Sequence, residues 1–220
     1  MSDWFCRLDG GNMEKINYQK RLDKLIAGFG GEIPTLLLHS CCAPCSSYCI
    51  EYLSQYFRIT LLYYNPNISP AEEFTKRSEE LKRLVSEMSL PNPVSVVIDD
   101  YDPNEFLSKV KGLENVPEGG ERCFECYRLR LERAARYAAN GGFDYFCSTL
   151  SISPRKNCEK LNEIGDELSE IYSVKHLPND FKKRNGFKRS VELSEQYGLY
   201  RQSYCGCVFS KAENQTRNKV

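Results

Sequence analysis

At 220 residues, 41% of them hydrophobic and 27% charged, the chain is long enough for one well-buried α/β domain and has the balance of a soluble globular protein. No stretch approaches the roughly 20 apolar residues that span a bilayer, and the opening MSDWFCRLDGGNMEK lacks the apolar centre of a secretory signal, so a cytoplasmic protein is expected. Thirty basic and thirty acidic residues cancel, which excludes a nucleic-acid binder announced by bulk charge.

The first expected element is a short amphipathic helix over 15–28, stopped by Gly28 and Gly30. TLLLHS is then a buried strand that runs into the turn-like CCAP, and helix follows over 44–56, since proline is tolerated in a first turn. RITLLYYN forms a second strand closed by Pro66. In SPAEEFTKRSEELKRLVSEM, Ser69 is the expected cap, with Pro70 in the first turn and Glu72 and Glu73 at the positive helix end. PVSVVIDD is a third strand, residues 103–111 a short helix and PEGGERC a loop. CFECYRLRLERAARYAAN is a long helix with Cys123 and Cys126 at its start. GFDYFCSTL is a fourth strand, SPRKNCEKLNEIGDELSEI a helix, and SVELSEQYGLY the last helix before YCGC. Strands alternating with helices of this length imply a mainly parallel sheet covered on both faces, with no repeat or low-complexity linker, hence one domain over 1–220.

Eleven cysteines carry the chemistry. In a reducing compartment clustered thiols bind metal or do redox work more often than they form static disulfides, and an odd total argues against complete pairing. Cys41 and Cys42 follow the first strand, while Cys123 and Cys126 share one face at the start of a helix whose positive end favours thiolate. Both pairs fall where ligands gather in a parallel sheet. Four thiolates suit a [4Fe–4S] cluster or tetrahedral zinc, and the spacing leaves these and simple reactive thiols open. Cys45 is a further thiol beside the first pair. Cys205–Gly206–Cys207 can close a small strained ring of reducible character, or be two ordinary semi-buried cysteines. Cys6, Cys49, Cys147 and Cys158 read as hydrophobic filler and His39 as a packed strand-end residue. No GxxxxGK[ST], no GxGxxG after a strand and no GxSxG is present. The segment 180–220 holds nine Lys/Arg against four Asp/Glu, a basic patch suited to phosphates or a solvated face.

Taken together, HSCCAPC, CFECYRLRLERAA, STLSISPRKN and DFKKRNGFKRSVELSEQYGLYRQSYCGC resemble the QueH-type epoxyqueuosine reductases, in order, over about 36–210. The resemblance implies a HUP-like α/β fold related to the PP-loop nucleotide hydrolases, with a cysteine loop where those proteins carry a phosphate loop, which argues against ATP use. Residues 1–30 are then an N-terminal helical extension and 180–220 a C-terminal segment carrying the basic patch and the CGC.

The implied activity is the last step of queuosine biosynthesis. Epoxyqueuosine at the first anticodon position of tRNA loses its epoxide oxygen in a two-electron reduction, with an external electron donor of unspecified identity. By motif, Cys41, Cys42, Cys123 and Cys126 would hold a [4Fe–4S] cluster, Cys205 and Cys207 would form the redox-active disulfide, and Cys45 is associated with a second, mononuclear iron. Lys182, Lys183, Arg184, Lys188 and Arg189 are the candidates for phosphate contacts, with Tyr200 or Tyr204 stacking on bases. The rival readings are a non-catalytic or RNA-binding domain with a structural zinc held by four cysteines, a thiol–disulfide oxidoreductase working through Cys205 and Cys207, and, by fold analogy alone, an ATP-dependent tRNA-modifying ligase.

Overall fold

The computed structural model describes residues 16–217, so Cys6 lies outside the described residues. Short apolar runs become the strands β1 (Thr35–His39), β2 (Arg58–Tyr63), β3 (Val94–Ile98), β4 (Tyr145–Ser148) and β5 (Lys175–His176), all parallel and ordered β3-β2-β1-β4-β5. Leu37 of β1 pairs with Thr60 on one side and Phe146 on the other. The chain builds outward from β1 in one direction, then returns to its other side for β4. Connections therefore leave the carboxyl ends of β1 and β4 on opposite faces, and a crevice opens between them.

The helices are α1 (Tyr18–Ala27), α2 (Ala43–Leu53), α3 (Ala71–Glu87), α4 (Pro103–Lys109), α5 (Glu121–Asn140), α6 (Cys158–Tyr172), α7 (Gly186–Gln196) and α8 (Val208–Arg217). Because strand side chains alternate, the leucines of β1 divide between two cores. Leu36 and Leu38 join Ile50, Leu53 and Leu81 on one face. Leu37 faces the other way, with Tyr127, Leu131 and Ala134 of α5 and Ile164 and Leu168 of α6. Removing one such buried leucine side chain costs about 2–5 kcal/mol.

Local chemistry sets the helix ends. Asn17, Asp102 and Asn157 cap α1, α4 and α6 by accepting backbone N–H groups. The expected cap at Ser69 is not made: α3 starts at Ala71 with Pro70 in the capping position. Ser69 serves the C-terminal loop instead, donating its N–H to the Gly206 carbonyl at 2.9 Å and accepting the Tyr204 hydroxyl at 3.0 Å. The fourth strand is shorter than its apolar run, because Ser148 turns the chain by capping a 3-10 turn over Thr149–Ile152. Two elements escape the sequence pattern. β5 is only two residues long, and α8, not α7, is the last helix.

Helix α7 lies against α2 through Gly186, where a Cβ would overlap the Phe181 carbonyl oxygen and the Tyr48 ring. Gly186→Ala should therefore destabilise the fold by about 3 kcal/mol, as an overpacked contact against backbone does, read as a lower midpoint in urea unfolding.

Candidate metal and thiol site

The β1 leucines end in His39, whose ring is fully buried between the Ser148 hydroxyl at 2.8 Å and the Tyr64 carbonyl at 3.0 Å. Burial lowers its pKa to about 4, so it packs as a neutral ring. The next residues turn into α2, which begins at Ala43 with Cys42 in the capping position. This tight strand-to-helix turn brings Cys41, Cys42 and Cys45 together, with their sulfur atoms all within 4.8 Å of one another. The Cys41 and Cys42 sulfurs are 3.8 Å apart, the edge of a thiolate tetrahedron around one ion with metal–sulfur bonds of about 2.3 Å, which is also about 3.8 Å. Hydrogen bonds from Cys41 and Cys45 hold the Cys42 thiol well below its usual value, while the bond to Cys42 pushes Cys41 up to about 11.

The second thiol group comes from the other side of the crevice. Cys123 and Cys126 sit in the first two turns of α5, and with Cys205 and Cys207 they line a narrow pocket of about 10 Å³, room for about one water. Burial raises the Cys126 thiol and pushes Cys207 up to about 12. Cys205 and Cys207 are free thiols. Gly206 between them adopts φ 129°, in the region that favours glycine, and a Cβ there would press on Ile68 at 3.0 Å. Arg77 of α3 holds the loop through the Cys205 carbonyl at 3.1 Å, and Ser210 accepts the Cys205 N–H at 2.9 Å.

A larger cavity of about 510 Å³ opens beside this pocket, a volume typical of small-molecule sites. Cys41 and Cys45 lie in its wall, and Glu118, Arg130, Lys156 and Cys205 line both spaces. Arg77 and Arg130 are each only 2% exposed, and one terminal guanidinium nitrogen of each, Nη2, is buried with no hydrogen-bond partner. Against burial, the Cys126, Cys205 and Cys41 sulfurs hold the Arg130 pKa above its usual value, and Cys42 does the same for Arg77. The donor set is all sulfur, and unspent positive charge surrounds it. Both features fit a thiolate-bound metal centre, which carries net negative charge.

Sequence reasoning named the cysteines but not the cations that frame them, nor Lys156, Glu118 and Phe187 on the cavity walls. Their signal is visible in retrospect for the arginines, since Arg77 and Arg130 fall on the apolar faces of α3 and α5 beside Leu81 and Leu131. The basic run at 182–189 is largely committed internally. Arg184 pairs with Asp23 at 2.6 Å, Arg189 with Glu51 at 2.7 Å, and Lys182 with Asp180 at 3.3 Å. Tyr200 is covered by the Lys76 ammonium and donates to Glu73, whereas Tyr204 lines the cavity. The filler assignment holds for Cys49 and Cys147, which are fully buried in one core; Cys158 instead opens α6 and donates to the Asn179 carbonyl at 3.3 Å.

A parallel sheet with clustered thiols and a cation-lined cavity at its switch point defines an α/β protein equipped to hold a soft-ligand metal beside an organic substrate. The profile of the family described as epoxyqueuosine reductase QueH matches residues 36–213, and the chain belongs to that family. Its activity is accordingly that of an oxidoreductase of the epoxyqueuosine reductase type. The epoxyqueuosine reductase QueH of Streptococcus pyogenes serotype M1 is 45% identical over 201 residues, 90% of this chain and 79% of the relative. That of Staphylococcus epidermidis is 45% identical over 203 residues, 90% and 85% of the two chains. The Thermotoga maritima relative is 36% identical over 190 residues, 84% and 94% of the two chains. Among the described residues no helix is long and apolar enough to cross a membrane.

A buried guanidinium with an unsatisfied nitrogen costs stability unless a negative centre faces it. Arg130→Met should leave the metal-free protein as stable as the parent, or more stable by about 1 kcal/mol, while lowering the metal retained after gel filtration.

Proposed function

We propose that this chain reduces epoxyqueuosine to queuosine at the first anticodon position of tRNA, removing the epoxide oxygen at an iron–sulfur site. Cys41, Cys42, Cys123 and Cys126 would hold a [4Fe–4S] cluster, Cys45 stands beside the position for a second, mononuclear iron, and Cys205 and Cys207 form the working dithiol. The observations that support this reading are a cluster and an adjacency. The sulfurs of Cys41, Cys42 and Cys45 lie within 4.8 Å of one another, while Cys123 and Cys126 stand outside that group. The cavity lined by Cys41 and Cys45 adjoins the narrow pocket lined by Cys123 and Cys126, with Glu118, Arg130, Lys156 and Cys205 on both. Bound there, such a centre supplies electrons and a Lewis-acidic iron for the departing oxygen.

The chain's own residues do the rest. The cavity of about 510 Å³ accommodates a modified nucleoside drawn out of a loop. Leu150, Ile152 and Pro154 form an apolar wall that limits water at the reacting carbon atoms. Arg77 and Arg130 hold fixed positive charge against the thiol centre, which stabilises its anionic sulfur ligands.

Docking of the RNA falls to the mouth of this cavity. Arg155 and Arg201 are exposed there without a carboxylate partner among the described residues, and Phe187 presents an apolar ring that is 40% exposed. Cations take loop phosphates and an exposed ring stacks on an unpaired base. Of the basic run, Lys183 and Lys188 remain exposed and add to this field.

Anaerobic incubation with epoxyqueuosine-containing tRNA and a strong reductant tests the reaction, with the product nucleoside lighter by one oxygen atom. Cys126→Ala should lose both the brown colour of thiolate-bound iron and the turnover; a colourless parent containing one zinc would favour the structural-zinc reading instead. Arg155→Ala with Arg201→Ala should weaken tRNA binding and flatten the dependence of log K on log salt by about 1.4 for two lost phosphate contacts. The same measurement on Lys182→Gln with Arg184→Gln should give a smaller change, because those side chains are already paired.

A further inference from the structure

Lys156 is an unusual lysine. Only 8% exposed, it lies between the two cavities with its ammonium nitrogen 3.0 Å from the Cys205 sulfur. Its nearest carboxylate oxygen, on Glu118, is further off at 3.5 Å, and the Tyr127 ring centroid is 5.9 Å away. A buried ammonium tends to lose its proton, yet against that burial the charge on Cys205 keeps Lys156 well above the ordinary lysine value. The contact is thus a charge-assisted hydrogen bond between ammonium and sulfur.

The two thiols of the CGC loop stand in different surroundings. Cys205 lines both cavities, whereas Cys207 lines only the narrow one, packed with Phe106, Val110 and Cys126. The Cys207 sulfur accepts the backbone N–H of Ser210 at 3.4 Å, and no cation touches it among the described contacts. The hydrogen bonds of Cys205 go to Lys156, Arg77 and Ser210, none of them a proposed metal ligand.

We infer that Lys156 is the counter-ion of Cys205, and that this contact makes Cys205 the reactive thiol of the pair and Cys207 its shielded partner. Lys156 is in this sense a positioning residue: it fixes the sulfur at the junction of the two cavities. The use of this reactivity in turnover rests on the dithiol reading above; the reactivity itself belongs to the thiol.

Alkylation by iodoacetamide reads it directly, because the deprotonated sulfur displaces iodide as it forms the new carbon–sulfur bond. In protein purified anaerobically with its metal, labelling is followed by peptide mass at one fixed pH. Cys205 should react about tenfold faster than Cys207, and Lys156→Met should slow Cys205 about tenfold, through loss of the ammonium–sulfur contact. Lys156→Arg should restore most of the rate. Mere loosening of the fold moves the readout the opposite way, since both thiols would then label faster. Lys156→Met combined with Glu118→Gln repeats the test without leaving the Glu118 carboxylate unpaired. Equal Cys205 rates in the parent and both Met variants, or a faster Cys207, would overturn the inference. The turnover of Cys205→Ser separates the two claims. Lysine-dependent labelling with full turnover in that variant retains the counter-ion and removes the dithiol role. Lysine-independent labelling with lost turnover does the reverse.

Discussion

Arg77, Arg130 and Lys156 are buried together at the sheet's switch point, and carboxylates answer only part of their charge. Glu73 pairs with Arg77 at 2.7 Å and Glu118 approaches Lys156 at 3.5 Å, while the Arg130 side chain donates through Nε to the Cys126 carbonyl. Cations taken out of water in this way are costly unless negative charge faces them. The atoms that face them here are sulfurs: Cys42 beside Arg77, Cys41 and Cys126 beside Arg130, and Cys205 beside Lys156. Thiols are neutral until ionised or bound to metal, so the cations and the thiol chemistry depend on each other. A crevice of neutral thiols would strand the cations, and the same thiolates without cations would repel one another.

That mutual dependence explains how distant segments are held in register. Arg77 belongs to α3, yet it bonds the Cys205 carbonyl, and Ser69 just before α3 receives the same loop through Gly206 and Tyr204. The C-terminal CGC is therefore fastened to the segment after β2, on the far side of β1 from α5. Arg122 of α5 reaches α8 through Glu213 at 2.9 Å, which closes the loop from the other flank. The CGC is clamped from both sides of the crevice through its backbone atoms.

Much of this was legible in the sequence, for physical reasons that differ by element. The central strands and long helices announce themselves because a buried strand needs a continuous apolar run and an amphipathic helix needs a 3.6-residue stripe. The motif HSCCAPC marks the turn after β1, and its thiols do cluster there. β5 was illegible because two residues carry no period. α8 was hidden by its polar composition; in the fold it is tied to α5 through the Glu213–Arg122 pair. The lysine-rich run misled because charge counting sees residues and not their partners: Arg184 and Arg189 look free until Asp23 and Glu51, more than a hundred residues earlier, fold against them. Lys156 stood in plain view within SPRKN, but nothing local distinguishes a buried lysine from a solvated one.

The position of the cysteine turn has its own logic. A chain that enters a helix directly from a buried parallel strand leaves several N–H groups of the first turn without intrahelical partners, and their summed dipole favours negative charge. That is the property by which such a turn cradles phosphate when its residues are small. In this chain Cys42 takes the capping position of α2 without a side-chain cap bond, and its neighbours Cys41 and Cys45 donate to its sulfur. The backbone field stays as it would be for a phosphate, and the charge it stabilises now resides on the chain itself. Exchanging an anionic ligand for an anionic side chain needs no change in the sheet or the crossover. It does fill the cradle a nucleotide requires, because the Cys41, Cys42 and Cys45 sulfurs gather within 4.8 Å of one another at that turn. Beside Cys41 and Cys45 lies the cavity of about 510 Å³, with Arg130 and Lys156 in its wall. The electrostatics that suit a thiolate centre and the cavity that admits a substrate are for this reason one arrangement.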